Sequence, residues 1–414
     1  MSLAPTASPA ASPEAVRPVP HRLAWLDMLR GVGALAVVGE HLVTWDMPWL
    51  RPTQFNLGTY GVLVFFLVSG YVIPVSLERG GDVRAFWIGR FFRLYPLYIA
   101  VLGLVLALSW WIPVREEVPR DLYAVAAHAT MLLDVVGVGG VVDTMWTLSY
   151  EMAFYLMVAA LFAAGVHRGR GLIAVLAGLA ALTAGLTLAS APLTGGGPAW
   201  VSLAVFAAGM GCVLTGRLTV LASCVLGVTA LALLPLSSRV PWFGLAMLAV
   251  MFAGTAIHRW ERGSGSLWPV ALTVLLVACA PVWAISAGWW WVQPDVWIST
   301  IVLAGVTFAA GMALRGRRVP SFLTRLGLIS YSLYLVHLPI LLVMVRILGE
   351  RRWSPLPHQL ATAAVFLLVL LPVSGLTYRW IERPMQDLGR RLARASRGPG
   401  PGGGVRPESE SASG

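Results

Sequence analysis

Lysine is absent from this chain, and charge of either sign is scarce. All 30 basic residues are Arg, and charged residues make up only 12% of the 414 residues. Soluble domains carry about 25% charged residues. A chain with 57% hydrophobic residues and so little charge cannot hide its apolar side chains in one water-soluble core. We therefore predict an integral membrane protein.

The net charge of +11 does not indicate a nucleic-acid partner. The Arg residues stand in short segments between apolar runs, which is the arrangement that orients helices in a membrane. Membrane lipid is therefore the expected neighbour of the surface, and no nucleic acid is expected as a partner.

Motifs for several common chemistries are missing as well. The chain has no Walker A loop, no glycine motif of a Rossmann fold, no Gly-x-Ser-x-Gly elbow and no Asp-x-Asp pair. Its three cysteines lie in apolar segments without metal-ligand spacing: Cys212, Cys224 and Cys279. We expect neither a bound metal nor a tightly held redox cofactor.

Long apolar runs, by contrast, are frequent. A helix needs about 20 apolar residues to cross a bilayer. The sequence offers twelve such segments: 24–44, 57–77, 91–112, 145–165, 171–191, 199–215, 218–236, 241–257, 268–288, 295–314, 327–347 and 359–381. Only Arg217 separates the pair within 199–236, so ten or eleven spans are also compatible with the pattern. We predict an all-α polytopic bundle of 10–12 transmembrane helices.

The placement of Arg predicts how this bundle is oriented. With the N-terminus inside, the inner segments hold 22 Arg and the outer loops hold 6, and the longest outer loop covers 113–144. Such a bias places both termini in the cytoplasm. We therefore predict a multi-pass protein of the plasma membrane, with a transmembrane domain over 22–387 and disordered tails over 1–21 and 388–414.

The first helix carries ionisable residues inside the membrane, where they are costly and mark functional sites. Arg30 and His41 are eleven residues apart, so they share a helix face about 16 Å apart along the axis. This face presents a fixed cation near the cytosol and a titratable imidazole deeper in. In the alternative interpretation, Arg30 reaches the inner headgroups and His41 only caps the helix.

Two further motifs lie on the next helices. Arg90 and Arg93 are three residues apart and share a helix face at the predicted cytoplasmic end. Paired guanidinium groups suit a phosphate or pyrophosphate, although they could also anchor the helix against lipid headgroups. In the second helix, Gly70 permits close approach of another backbone, and Ser69 can hydrogen-bond across helices. Ordinary helix packing would explain that pair as well.

The fourth predicted helix enters from the outer face and carries Glu151 about two turns in, close in depth to His41. A carboxylate beside an imidazole holds its tautomer and stabilises its charged form. We therefore predict that His41 and Glu151 form a catalytic general-base pair, with a structural ion pair as the alternative. His337 falls near mid-membrane, where it could equally be a packing contact. Glu382 is expected to pair structurally with an inner Arg.

Six stretches in this order resemble the membrane-bound acyltransferase 3 family over about residues 22–387. They are Arg22-x3-Leu26-Asp27-x-Leu29-Arg30-Gly31 running to His41, Phe65-Phe66-Leu67-Val68-Ser69-Gly70-Tyr71, Phe86-x3-Arg90-x2-Arg93-Leu94-Tyr95-Pro96, Trp146-Thr147-Leu148-x2-Glu151-x2-Phe154-Tyr155, Gly327-x2-Ser330-Tyr331-Ser332-Leu333-Tyr334-Leu335-x-His337 and Glu382-x-Pro384. The family O-acylates sugars, polysaccharides and some antibiotics.

This resemblance implies an enzyme with a cytosolic acyl-CoA donor, most simply acetyl-CoA, and a hydroxyl acceptor such as a sugar, a glycan or a macrolide. The donor is expected on Arg30, Arg90 and Arg93, with His41 as base or, less simply, as an acylated intermediate. The substrate is expected to contact five residues of the same motifs: Ser69, Trp146, Tyr150, Tyr334 and His337.

Two departures from the family leave the acceptor open. Glu40 precedes His41, where the family usually has an aromatic or aliphatic residue, and no soluble hydrolase-like domain is appended. The main alternative is a transporter, since many carriers are twelve-helix bundles with both ends inside. A carrier should show two similar halves, and the sequence shows no such repeat.

Overall fold

In a computed structural model, the structure describes residues 24–111, 121–167, 169, 171–349 and 353–396. Within these ranges the chain forms sixteen α-helices and no strand. The helices are α1 (Ala24–Trp45), α2 (Leu57–Gly80), α3 (Val83–Leu108), α4 (Leu122–Thr130), α5 (Trp146–Ala163), α6 (Leu172–Thr187), α7 (Gly197–Thr215), α8 (Thr219–Ser237), α9 (Pro241–Glu261), α10 (Trp268–Cys279), α11 (Val282–Ser286), α12 (Pro294–Ala313), α13 (Ser321–Leu328), α14 (Ser330–Leu348), α15 (Leu356–Thr377) and α16 (Arg383–Ala395).

The all-α polytopic architecture is confirmed. Ten helical segments of the described chain are long and apolar enough to cross a membrane. Each of the twelve predicted spans has a helix. The two outside that set are α1, which carries three charged residues, and α6, an apolar helix of 16 residues. The doubtful pair within 199–236 is two helices, α7 and α8, that turn at Gly216.

The turn between α2 and α3 fixes the start of the helix that carries the paired arginines. Gly81 ends α2 in the left-handed conformation, at φ 67°, which glycine adopts without strain. Asp82 then caps α3, since its carboxylate accepts hydrogen bonds from the backbone N–H groups of Arg84 at 2.8 Å and Ala85 at 3.2 Å. The end of the bundle at this turn, where α1 also begins, is called the basic end below.

Glycines let α1, α2 and α9 approach closely at the centre of the bundle. A Cβ atom at Gly70 would stand 1.7 Å from the backbone oxygen of Met251, and one at Gly33 would stand 2.9 Å from the oxygen of Gly61. The close approach expected at Gly70 is therefore confirmed. Thr255 adds a hydrogen bond of 2.8 Å from its hydroxyl to the Gly70 carbonyl.

The segment between α3 and α5 folds back into the bundle, although the sequence placed an outer loop at 113–144. The hydroxyl of Tyr95, within α3, donates to the Ala129 carbonyl at 2.9 Å. The hydroxyl of Tyr334, near the start of α14, donates to the Thr144 carbonyl at 3.0 Å. Residues 112–120 lie outside the described chain, but 121–145 form a re-entrant segment whose apolar side chains are mostly buried. Consequently α5 begins inside the bundle and not at its surface.

The last helix of the described chain is amphipathic. A short π-helix, Tyr378–Glu382, links α15 to α16, and α16 packs on α3 where Gly389 meets Phe92. Residues 388–395, which were expected to belong to a disordered tail, are instead helical. The expected tail over 1–21, Arg22, and the residues after 396 lie outside the described chain.

Candidate active site

A cavity lies between α1, α2, α3, α5 and α14. Apolar side chains of α2 form much of its wall. Its polar lining comes from ten residues: Arg30, Ser69, Arg90, Arg93, Thr147, Glu151, Tyr155, Ser330, Tyr331 and Tyr334. Six of the ten residues proposed from the sequence thus meet in one place, which we call the central cavity.

Arg30, Arg90 and Arg93 bring three guanidinium groups into this cavity. The Arg90 guanidinium lies 5.3 Å from the ring centres of both Phe86 and Tyr155, so an aromatic pair holds it in place. Arg30 makes an ion pair of 3.7 Å with Asp27 on its own helix. Among the described lining residues a single carboxylate, Glu151, faces the three cations, so the cavity favours an anionic ligand.

Glu151 lies among the arginines and not beside His41. Its carboxylate accepts a short hydrogen bond from Tyr155 and one of 3.4 Å from Ser69. Because α1 and α2 are antiparallel with Gly33 opposite Gly61, Ser69 lies near the start of α1, at the depth of Arg30. The predicted His41–Glu151 pair therefore does not form. Because α5 begins inside the bundle, Glu151 lies closer to the basic end than the sequence predicted.

His41 instead pairs with His337. Nε2 of His337 lies 3.3 Å from Nδ1 of His41, and the two rings meet edge to face with centres 5.0 Å apart. His337 is fully buried, and His41 is partly accessible. Two family motifs that are 296 residues apart in the chain thus meet at one point.

Backbone carbonyls fix the protonation of both rings. His41 Nδ1 lies 2.8 Å from the Val37 oxygen, and His337 Nδ1 lies 2.7 Å from the Tyr334 oxygen. A carbonyl oxygen only accepts hydrogen bonds, so each neutral ring carries its proton on Nδ1. His337 Nε2 can then accept from His41, while His41 Nε2 keeps a lone pair and has no hydrogen-bond partner among the described residues.

Tyr334 separates the central cavity from the histidine pair. It lines the cavity, and its ring lies 5.9 Å from Phe65 and 5.8 Å from His337 between ring centres. Its hydroxyl accepts a hydrogen bond of 2.8 Å from Thr147. The two histidines therefore lie behind Tyr334, on the side of its ring that faces away from the central cavity.

Two predicted substrate contacts, Trp146 and Tyr150, do not line the central cavity. Tyr150 is buried, and its hydroxyl donates a short hydrogen bond to Asp134 of the re-entrant segment. Trp146 packs against Tyr150 and Phe243, with ring centres 5.8 and 5.4 Å away. Both side chains hold the re-entrant segment against its neighbours.

Glu40, the residue that departs from the family, has a cation of its own. Arg51 donates to its carboxylate from Nη2 at 2.6 Å and from Nε at 2.9 Å. The Arg51 guanidinium also lies 4.2 Å from the ring centre of Trp290. The carboxylate that precedes His41 in the sequence is thus paired with Arg51.

Sequence reasoning did not single out Tyr155 or Tyr331 as site residues. Tyr155 follows Glu151 by four residues, so helical spacing alone places them on one face. Tyr331 lines the cavity and donates to the Leu94 carbonyl at 2.7 Å. The sequence around Tyr331 does not predict this contact, because Leu94 is distant in the chain. Glu382 is buried and accepts from Ser332 at 2.8 Å.

Acidic, histidine and cysteine side chains do not gather into a metal site in the described chain: no three of them come together as a metal ion would need.

Comparison with known proteins agrees with this geometry. Residues 23–378 match the acyltransferase domain family, Acyl_transf_3. Over 408 residues the chain is 26% identical to the acyltransferase MdmB of Streptomyces mycarofaciens, covering 89% of this chain and 93% of the relative. It is 27% identical over 179 residues to the peptidoglycan O-acetyltransferase OatA of Listeria monocytogenes, covering 38% of this chain and only 28% of the relative. No solved structure matches the chain. Because the match spans most of the sequence, this chain belongs to the acyltransferase 3 family and is a multi-pass membrane acyltransferase.

Proposed function

We propose that the enzyme transfers an acetyl or other short acyl group from cytosolic acyl-CoA to a hydroxyl group of a carbohydrate or macrolide-like acceptor. The observation that carries this proposal is the central cavity, where three guanidinium groups face one carboxylate among the described lining residues. Arg binds phosphate oxygens through planar, two-point contacts. A negatively charged donor with an apolar arm suits both the cations and the apolar wall.

The proposed orientation puts the basic end in the cytoplasm. Arg30, Arg90 and Arg93 stand toward that end, and the excess of Arg in the segments there is what cytoplasmic loops carry. Acyl-CoA would then enter from the side on which it is made. The name of the relative OatA, a peptidoglycan O-acetyltransferase, supports a hydroxyl acceptor.

The proposed chemistry centres on His41. Its Nε2 lone pair takes the proton of the acceptor hydroxyl as the oxygen attacks the thioester carbon. A carbon–oxygen bond forms, the carbon–sulfur bond breaks, and the proton passes from Nε2 to the departing thiolate. General-base assistance of this kind is worth about 10² to 10⁴ in rate.

His337 and Glu151 act as positioning residues in this scheme. His337 accepts from His41 Nδ1 at 3.3 Å, and this contact together with the Val37 carbonyl keeps Nε2 as the basic nitrogen. Glu151 anchors the Tyr155 hydroxyl and balances the arginines at the donor end. For donor and histidine to meet, Tyr334 must move aside, because it closes the inner wall of the cavity.

The test compares His41→Ala with His358→Ala, which removes an exposed histidine of α15. Membranes containing equal amounts of each protein are incubated with radiolabelled acetyl-CoA, and label in the acceptor fraction is counted. We expect His41→Ala to lower the transfer rate by a factor of about 10² to 10⁴. The rate of His358→Ala should match that of the wild type.

Normal transfer by His41→Ala at equal abundance would refute its role as the base. A transporter would move no label onto any acceptor, so absence of transfer by the wild type would refute acyl transfer from acetyl-CoA altogether.

A further inference from the structure

A second cavity opens at the basic end next to the central cavity. It lies between the end of α2, the first turns of α3, and α16. Arg90 and Arg93 line both cavities, so these two guanidinium groups stand at the junction. We call this space the outer cavity.

The wall that α16 contributes brings one more cation. Gln386, Arg390 and Ala393 line the outer cavity at spacings of four and three residues, which place them on one helix face. Gly389 sets this face against α3, because a Cβ atom there would stand 2.6 Å from the Phe92 Cβ. Packing of α16 therefore aims Arg390 into the cavity.

The acidic groups of the outer cavity do not cancel its charge. The Asp82 carboxylate is taken up by the backbone N–H groups at the start of α3. Asp387 forms a short ion pair with Arg390, but their side chains are 44% and 60% exposed. An exposed pair is screened by water and holds its partners weakly, so a bound phosphate can take over the Arg390 guanidinium.

We propose that the outer cavity is a subsite for the 3′-phosphate of coenzyme A, with Arg390 as the residue that binds it. This inference rests on the proposed acyl-CoA donor. Coenzyme A carries two separate anionic groups, the pyrophosphate and the 3′-phosphate. The structure offers two separate sets of cations along one path: Arg90 and Arg93 at the junction, and Arg390 further out.

The experiment measures kcat/KM with two donors, acetyl-CoA and acetyl-3′-dephospho-CoA, for the wild type, Arg390→Ala and Arg391→Ala. Arg391 removes the same charge from the same helix but does not line the cavity. Alanine preserves helix propensity, so α16 should remain folded. We expect the wild type to prefer acetyl-CoA by about tenfold, as one charge-assisted contact implies.

Arg390→Ala should lose that preference by becoming slower with acetyl-CoA alone, while Arg391→Ala keeps it. If Arg390→Ala changes both donors equally, or neither, the subsite is refuted and the donor assignment stands. In one such outcome, Arg390→Ala lowers kcat/KM equally with both donors in anionic vesicles and leaves it unchanged in vesicles of purely zwitterionic lipid. That result would assign Arg390 to an anionic lipid headgroup and refute the subsite. If the wild type uses neither donor, the proposed function fails and the subsite with it.

Discussion

Replacing Gly70 by alanine tests whether the close approach of α2 and α9 sets the geometry of the central cavity. The added Cβ atom would stand 1.7 Å from the Met251 carbonyl oxygen, and Cβ contacts under 3.0 Å essentially never occur. The two helices must therefore separate by about 1.3 Å at this point. Ser69, the preceding residue, lines the cavity and donates to Glu151, so it moves with the backbone.

The size of the effect follows from that displacement. Overpacking a well-packed interior typically destabilises by about 1–3 kcal/mol, and the hydrogen bond from Thr255 to the Gly70 carbonyl is strained as well. A misplacement of about 1 Å in a catalytic arrangement can lower the rate about 10²-fold. We therefore expect Gly70→Ala to insert in the membrane yet lose about two orders of magnitude in kcat/KM.

The assay is acetyl transfer at equal membrane abundance, together with the thermal unfolding midpoint in detergent. Gly103→Ala is the matched control, since Gly103 is also helical and nothing lies within 4 Å of a Cβ atom there. That variant should keep full activity and gain slightly in stability. Wild-type activity in Gly70→Ala would show that the α2–α9 contact does not position the site.

Two further predictions concern donor binding and stability. Glu151→Gln should raise the KM for acyl-CoA about tenfold, with little change in the acceptor KM, because it weakens the short hydrogen bond that holds Tyr155, the ring against which the Arg90 guanidinium packs. A loss confined to kcat, seen in steady-state kinetics, would instead connect Glu151 to His41. Arg51→Gln should lower the unfolding midpoint more than Glu40→Gln, since it leaves the buried Glu40 carboxylate without its cation. Equal midpoints in a detergent thermal melt would contradict this order.

The spanning segments and their helical type could be predicted because each apolar run had to be long enough to cross a bilayer. Hydropathy also implied that the arginines share one end, and helical spacing placed Arg90 with Arg93. These inferences depend only on neighbours along the chain. The all-α bundle is confirmed in the described chain, and Arg90 and Arg93 line one cavity there; the membrane side of the arginines stays a prediction.

The depth of Glu151 could not be predicted in the same way. Its helix was expected to start at the membrane surface, whereas the re-entrant segment carries that start inside, where Tyr334 bonds to Thr144. The apolar residues of 131–142 are too few to mark a span. The local sequence does not distinguish a re-entrant segment from an outer loop. Contacts with helices that are distant in the chain determine which of the two structures forms.

The helix α16 was missed for a different reason. Its residues are polar and rich in Arg, so composition alone suggested a disordered tail. The regular spacing of Leu388 and Leu392 with the arginines is typical of an amphipathic helix and was the available signal. Its partner Phe92 lies almost 300 residues earlier in the chain.

The long separation between Phe92 and α16 affects the order in which the site forms during synthesis. Domains form progressively as the chain is synthesised, N-terminal parts first. The histidine pair needs α14, and the outer cavity needs α16, which follows every spanning helix. The outer cavity is therefore the last part of the site to be synthesised, and the proposed path for the donor cannot form before the spanning helices of the described chain are complete.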